Sequence, residues 1–121
     1  GTWYQVTDQG AREGNYQESS ATALFIYTLA KAVNKGYIGK DYIEPTRKAF
    51  DGMVKTFTRL EEDGSYTITN CCAVAGLGGD SKRYRDGSFE YYISEPVIEN
   101  DPKSVGSFIL AAIEYEKMTD K

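Results

Sequence analysis

The sequence contains no histidine. This excludes Ser-His-Asp and Cys-His nucleophiles and removes the commonest zinc ligand, which leaves carboxylates as the available acid and base groups. Cysteine is almost as scarce, and the two present, Cys71 and Cys72, are neighbours. Adjacent cysteines rarely close a disulfide because the small ring strains the peptide between them, so both are expected as buried thiols. No apolar run approaches the roughly 20 residues needed to span a bilayer. The opening GTWYQVTDQG has neither the basic nor the apolar region of a signal peptide, so the chain as given is expected to be soluble, without a membrane partner. Positive charge is in deficit too, with 14 Lys and Arg against 18 Asp and Glu. Nucleic-acid affinity needs clustered cations, so nucleic acid is not an expected partner.

What is present fits one domain with a modest core, 121 residues long. The segment ESSATALFIYTLAKAVNKG reads as a helix. Ser19 or Ser20 can cap it, and Gly36 stands where a left-handed C-terminal residue is wanted. It is apolar most of the way round, as expected for a helix enclosed by other structure. A second helix is expected from about Tyr42 to Leu60, with Pro45 tolerated in its first turn. There Ile43, Phe50, Met53, Val54, Phe57 and Leu60 recur at helical spacing, opposite a charged face. The short link between the two predicts an antiparallel helical hairpin. EEDGSYTITN then reads as a strand or hairpin arm around an Asp-Gly turn. A last helix is expected after Asn100 or Asp101 as cap and Pro102 at its first position, ending near Met118. A mostly apolar helix, an amphipathic one and another mostly apolar one would suit concentric inner and outer layers. Bundles and α-solenoids remain open on periodicity alone.

Between Cys71 and Pro96 lies CCAVAGLGGDSKRYRDGSFEYYISEP, which reads as too rich in glycine, tyrosine and charge for a helix. Long structureless connections in small domains are usually functional or disordered, and four aromatic residues, Tyr84, Phe89, Tyr91 and Tyr92, argue against disorder. The glycines do not form a dinucleotide fingerprint, because Ser81 stands where the third glycine belongs and no helix is expected there. They allow a close backbone approach to a helix or a ligand. Lys82, Arg83 and Arg85 beside tyrosines suit a carboxylate-bearing sugar; the alternative is a solvated loop whose tyrosines pack on helix ends. Glu18, Asp86, Glu90, Glu95 and Asp101 are candidate acids, but spacing names no catalytic pair. Glu18 and Asp101 are equally explained as charges at helix N-termini.

Taken together, WYQVTDQ, REGNYQESSATALFIYTLAKAVNKGY, CCAVAGLGG and YRDGSFEYYISEPVIENDPKSVGSFILAAIEYEK resemble the C-terminal part of glycoside hydrolase family 105, the unsaturated rhamnogalacturonyl hydrolases. The resemblance covers nearly the whole chain in order. It implies that residues 1–121 are the C-terminal portion of one all-α (α/α)6 barrel domain, with no internal boundary. Its helical hairpins would carry long pocket-side loops and a short β-hairpin. It also implies removal of an unsaturated uronic acid from pectin-derived oligosaccharides by hydration of the C4–C5 double bond, without metal or organic cofactor. The family's catalytic aspartate and a Trp-Gly-Arg-Gly-Asn-Gly-Trp motif lie N-terminal to the matching region and are not present here, so no catalytic residue is assigned. Cys71–Pro96 becomes an expected pocket-side loop, with Trp3, Gln5, Tyr16, Glu18 and Ser19 near the same rim. In that reading Trp3 stacks on sugar, Gln5 and Glu18 meet hydroxyls, and Arg85 meets a carboxylate. The structural alternatives are Glu18 as a cap charge and Arg85 as a loop staple. A chain missing the rest of a barrel is expected to self-associate or to bind the remaining part. The other functional class is a non-catalytic carbohydrate-binding or assembly fragment. Cytoplasm and periplasm are both compatible with the family's use of imported oligosaccharides.

Overall fold

Three long helices carry the structure, a computed structural model that describes residues 1–119. Helix α1 spans Ser19–Asn34, α2 spans Ile43–Phe57 after a 3-10 turn at Lys40–Tyr42, and α4 spans Pro102–Thr119. Between α2 and α4 lie β1 (Thr58–Leu60), β2 (Tyr66–Ile68), β3 (Cys71–Cys72), the short helix α3 (Phe89–Ser94) and β4 (Val97–Ile98).

Hydrogen bonds at both ends show that α1 and α4 run parallel. Near their starts Ser19 Oγ and Ser104 Oγ are 2.7 Å apart, and near their ends Asn34 Nδ2 donates to the Glu114 carbonyl and carboxylate. Helix α2 returns the other way. The Thr69 N–H donates to the Phe57 carbonyl and the Ser19 N–H to the Asn70 carbonyl, so the end of α2 lies near the start of α1. The core sits between the three, built from Ala23, Ile26, Ala49, Met53, Phe57 and Ala111, with Trp3, Tyr27, Phe50 and Phe108 packed on it. Phe50 and Tyr115 stack with ring centroids 3.9 Å apart, fastening α2 to α4. Small residues at the α1–α4 contact, Ala23, Ala30, Ser104, Ser107 and Ala111, are all buried and let the two backbones approach closely. The parallel pair α1 and α4 with the antiparallel α2 is consistent with the inner, outer, inner order expected from the sequence. Leu24 and Phe25 on α1, and Ile109, Leu110 and Ile113 on α4, are nevertheless exposed in this chain.

Several boundaries differ from expectation, each for a local reason. The N-cap of α1 is Glu18, not Ser19 or Ser20, because its carboxylate reaches the N–H groups of Ser20 and Ala21. Helix α2 stops at Phe57, and Thr58–Leu60, expected as its last turn, pairs instead with Tyr66–Ile68 in an antiparallel hairpin. A β-branched residue at the switch suits the extended backbone. The stretch 71–96 is not free of helix. Ser88 accepts a hydrogen bond from the Tyr91 N–H and starts α3, and Cys71–Cys72 pairs with Val97–Ile98 in a second two-stranded ladder. The cap of α4 falls on Asp101, whose carboxylate accepts from the Lys103 N–H and whose carbonyl accepts from Ser104 and Val105. Gly36 has φ +71, as its position past α1 predicted. No helix among the described residues is long and apolar enough to cross a membrane.

Candidate functional site

The parallel start of α1 and α4 leaves an open cleft of about 400 Å³ at their N-terminal ends, lined by Gln5, Glu18, Ser20, Ala21, Cys72–Ala75 and Lys103. One wall is the strand-to-loop segment 72–75, the floor is the first turn of α1, and Lys103 stands on the α4 side. Small apolar side chains make the wall, while an amide, a hydroxyl and an ammonium mark its edges. Such a surface can accept the C–H face of a sugar ring while meeting its hydroxyls.

Glu18 is the structural centre of this region. Its side chain is almost wholly buried, and Oε1 accepts from the Ser20 N–H, the Ser20 hydroxyl and the Cys72 N–H at 3.2, 2.8 and 3.0 Å. Oε2 accepts from the Ala21 N–H at 2.6 Å. The carboxylate thus satisfies orphan donors of α1, adds favourable charge at its N-terminus, and ties the cleft wall to the helix. Gln5 joins from the N-terminal segment, its amide donating to the Cys72 sulfur at 3.2 Å and its N–H to the Tyr16 carbonyl. Lys103 donates to Asp101 and to the Ala73 carbonyl at 2.8 and 3.0 Å, binding α4 to the same wall. Its pKa is raised, first by the bond to Asp101, so it stays cationic.

Of the six residues expected at the rim, the structure brings Gln5 and Glu18 to the cleft. Trp3 packs edge-on against Phe25 at 5.1 Å and against the core cluster; its backbone N–H donates to the Thr22 hydroxyl and its carbonyl accepts from the Glu18 N–H. Ser19 is buried against Ser104. The Tyr16 hydroxyl is buried beside the Cys72 thiol, but no described residue meets it in good hydrogen-bond geometry. Its pKa is strongly raised, by burial first and the thiol second. Arg85 pairs with the buried Glu95 at 3.1 Å. Lys103, Ser20 and Cys72 line the cleft without having been singled out for it. The signal for Lys103 was its place two residues after a helix cap, which puts a side chain at the helix mouth.

Cys71 and Cys72 are both buried free thiols, as expected. Cys71 Sγ donates to the Cys72 carbonyl and its pKa is raised, mainly by burial. Cys72 Sγ instead meets Gln5 and the Val74 carbonyl at the cleft. No group of three or more His, Cys, Asp or Glu able to hold a metal ion occurs among the described residues.

Comparison with known proteins gives these features a family. A glycoside hydrolase from family 105 of C. acetobutylicum is 45% identical and superposes with a TM-score of 0.91, over 95% of this chain and 31% of that one. A possible family 105 member from Klebsiella pneumoniae is 25% identical with a TM-score of 0.72, over 98% of this chain and 26% of its own. Protein Atu3128 of Agrobacterium fabrum is 39% identical over 118 residues, 94% of this chain and 51% of its own length. A 24.9 kDa protein in the picA locus of Rhizobium radiobacter matches to the same extent. This chain therefore spans about half the length of the curated relatives it matches. Residues 1–119 match the family model of Glycosyl Hydrolase Family 88, and with solved family 105 folds superposing on the same residues, the chain belongs to this group of glycoside hydrolases.

Proposed function

We propose that this chain is the C-terminal portion of an unsaturated rhamnogalacturonyl hydrolase and forms one wall of its sugar site. The reading is carried by the cleft at the paired helix starts, in a chain that is 45% identical to a family 105 glycoside hydrolase. In this proposal an acid outside these residues protonates C4 of the unsaturated uronic acid. Water adds its oxygen to C5 and returns a proton to the enzyme, and the resulting hemiketal opens to release the remaining oligosaccharide. The chain itself contributes Gln5, Ser20 and Lys103 as polar contacts and the Cys72–Ala75 wall as an apolar face.

One observation favours a non-catalytic carbohydrate-binding or assembly role for the chain taken alone. The two buried carboxylates near the cleft wall, Glu18 and Glu95, are both committed to internal partners. A general acid has to reach its substrate with a proton to give. The test is titration of the chain with an unsaturated digalacturonide, following heat of binding and ultraviolet absorbance of the double bond together. Heat without loss of absorbance is expected. Loss of absorbance would place the acid within these residues, and absence of both signals would remove the sugar from this cleft.

A further inference from the structure

Glu95, immediately after α3, is a carboxylate with its side chain 1% exposed. Oε1 accepts from Arg83 Nη2 at 2.9 Å and Arg85 Nε at 3.1 Å, while Oε2 is sealed from solvent with no hydrogen-bond partner among the described residues. A buried carboxylate is tolerated only when paired, and both of its partners here come from a single loop. That loop must lie against Glu95 for the charge to be accommodated.

The geometry points to Glu95 as a positioning residue that holds the loop wall of the cleft in place. Three connections carry its effect to the wall. Arg85 exchanges both backbone hydrogen bonds with Gly78 at 2.8 Å, closing the turn 78–85. The Tyr91 hydroxyl, on α3, donates to the Gly76 carbonyl at 2.7 Å. The Ala73 N–H donates to the carbonyl of Pro96, the residue next to Glu95. Besides the Lys103 and Cys72 bonds to the Ala73 and Val74 carbonyls, wall residues 73–75 are thus flanked at Ala73 and Gly76 by two fastenings that lead back to the Glu95 clasp. Gly79 makes the turn possible: its φ is +120, and a Cβ there would stand 2.5 Å from the Arg83 carbonyl oxygen. The Glu95 carboxyl is held below its ordinary value: burial pushes it up, and the two arginines outweigh that push. The carboxylate is thus charged and the clasp closed at neutral pH.

Cys72 reports on the clasp directly, since its thiol sits in the wall and Cys71 can be removed. In a Cys71→Ala background, leaving one thiol, Glu95→Gln should speed modification of Cys72 by an aromatic disulfide reagent about tenfold, with helical circular dichroism unchanged. Arg83→Gln with Arg85→Gln should do the same, and all three changes together should add nothing further, as expected for one interacting unit. Arg83 is mostly exposed and its removal leaves Arg85 on the carboxylate, so Arg83→Gln alone, expected to speed the reaction in the same direction, carries the test if Glu95→Gln does not fold. An unchanged rate in folded variants overturns the assignment. The consequence for ligand rests on the sugar reading of the cleft: unsaturated digalacturonide should bind Glu95→Gln about tenfold more weakly and, once bound, slow Cys72 modification again. If the parent chain binds no sugar, the carbohydrate reading fails while the thiol rates still decide the role of Glu95.

Discussion

Among single side chains, Glu18 does the most to join separate segments. Its two oxygens take four donors from α1 and from Cys72, so one residue caps a helix, seats a strand and edges the cleft. Glu18→Ala should cost about 3 kcal/mol in urea unfolding, because it removes a cap and leaves the buried Cys72 N–H without an acceptor. A loss under about 1 kcal/mol would mean that water replaces those bonds freely. The sequence placed Glu18 correctly just before the helix but could not choose between capping and sugar contact. Nothing local to residues 18–21 announces that Cys72 will arrive, since that contact spans 54 positions. Trp3, expected to stack on sugar, packs on the core cluster and edge-on against Phe25, contacts that its position in the sequence does not announce.

Between elements, the decisive pieces are short. Helix α3 and the β3–β4 ladder are six and two residues long, too brief for a periodic pattern to register. What holds them is a set of contacts distant in sequence: Arg12 lies over the Phe89 ring at 3.9 Å and pairs with Glu90, pinning α3 to the N-terminal segment. The Glu95 clasp adds an acid-sensitive contribution whose sign follows from its direction. A carboxyl held below its ordinary value of 4.5 stabilises the folded state above that pH, and the contribution is lost as pH falls through the lower folded value. Arg85 stays charged throughout, its pKa raised first by the bond to Glu95, and Tyr91 stays neutral, its pKa raised first by burial. Acid titration followed by the near-ultraviolet signal of the loop tyrosines should show a step below about pH 4.5 that Glu95→Gln lacks. An identical step in the variant would assign it to other carboxylates.

For the molecule as a whole, the outward faces of α1 and α4 matter most. Ile109, Leu110 and Ile113 lie on the side of α4 away from its buried Ser104, Ser107 and Ala111, and Leu24 and Phe25 are similarly uncovered on α1. Contiguous apolar surface of this kind drives association. The chain alone is expected to sediment as an oligomer, or to bind the rest of a longer enzyme, and Leu110→Glu should shift it towards monomer. A monomeric parent chain at high concentration would count against inner-layer positions for these helices.

The three long helices, the Asp63–Gly64 hairpin turn, the left-handed Gly36 and the buried thiols follow from local rules: apolar spacing, caps, and the restricted backbone of turns. The family resemblance is likewise carried by the order of residues, and the match over residues 1–119 agrees with it. The cleft is different. Its lining comes from residues 5, 18–21, 72–75 and 103, which only the parallel docking of α1 on α4 brings together. Whether a charged side chain faces ligand or is spent on a buried partner, as Arg85 is on Glu95, depends on contacts between distant segments. Local propensity carries no information about those contacts, because they form only when the packed core sets the distance.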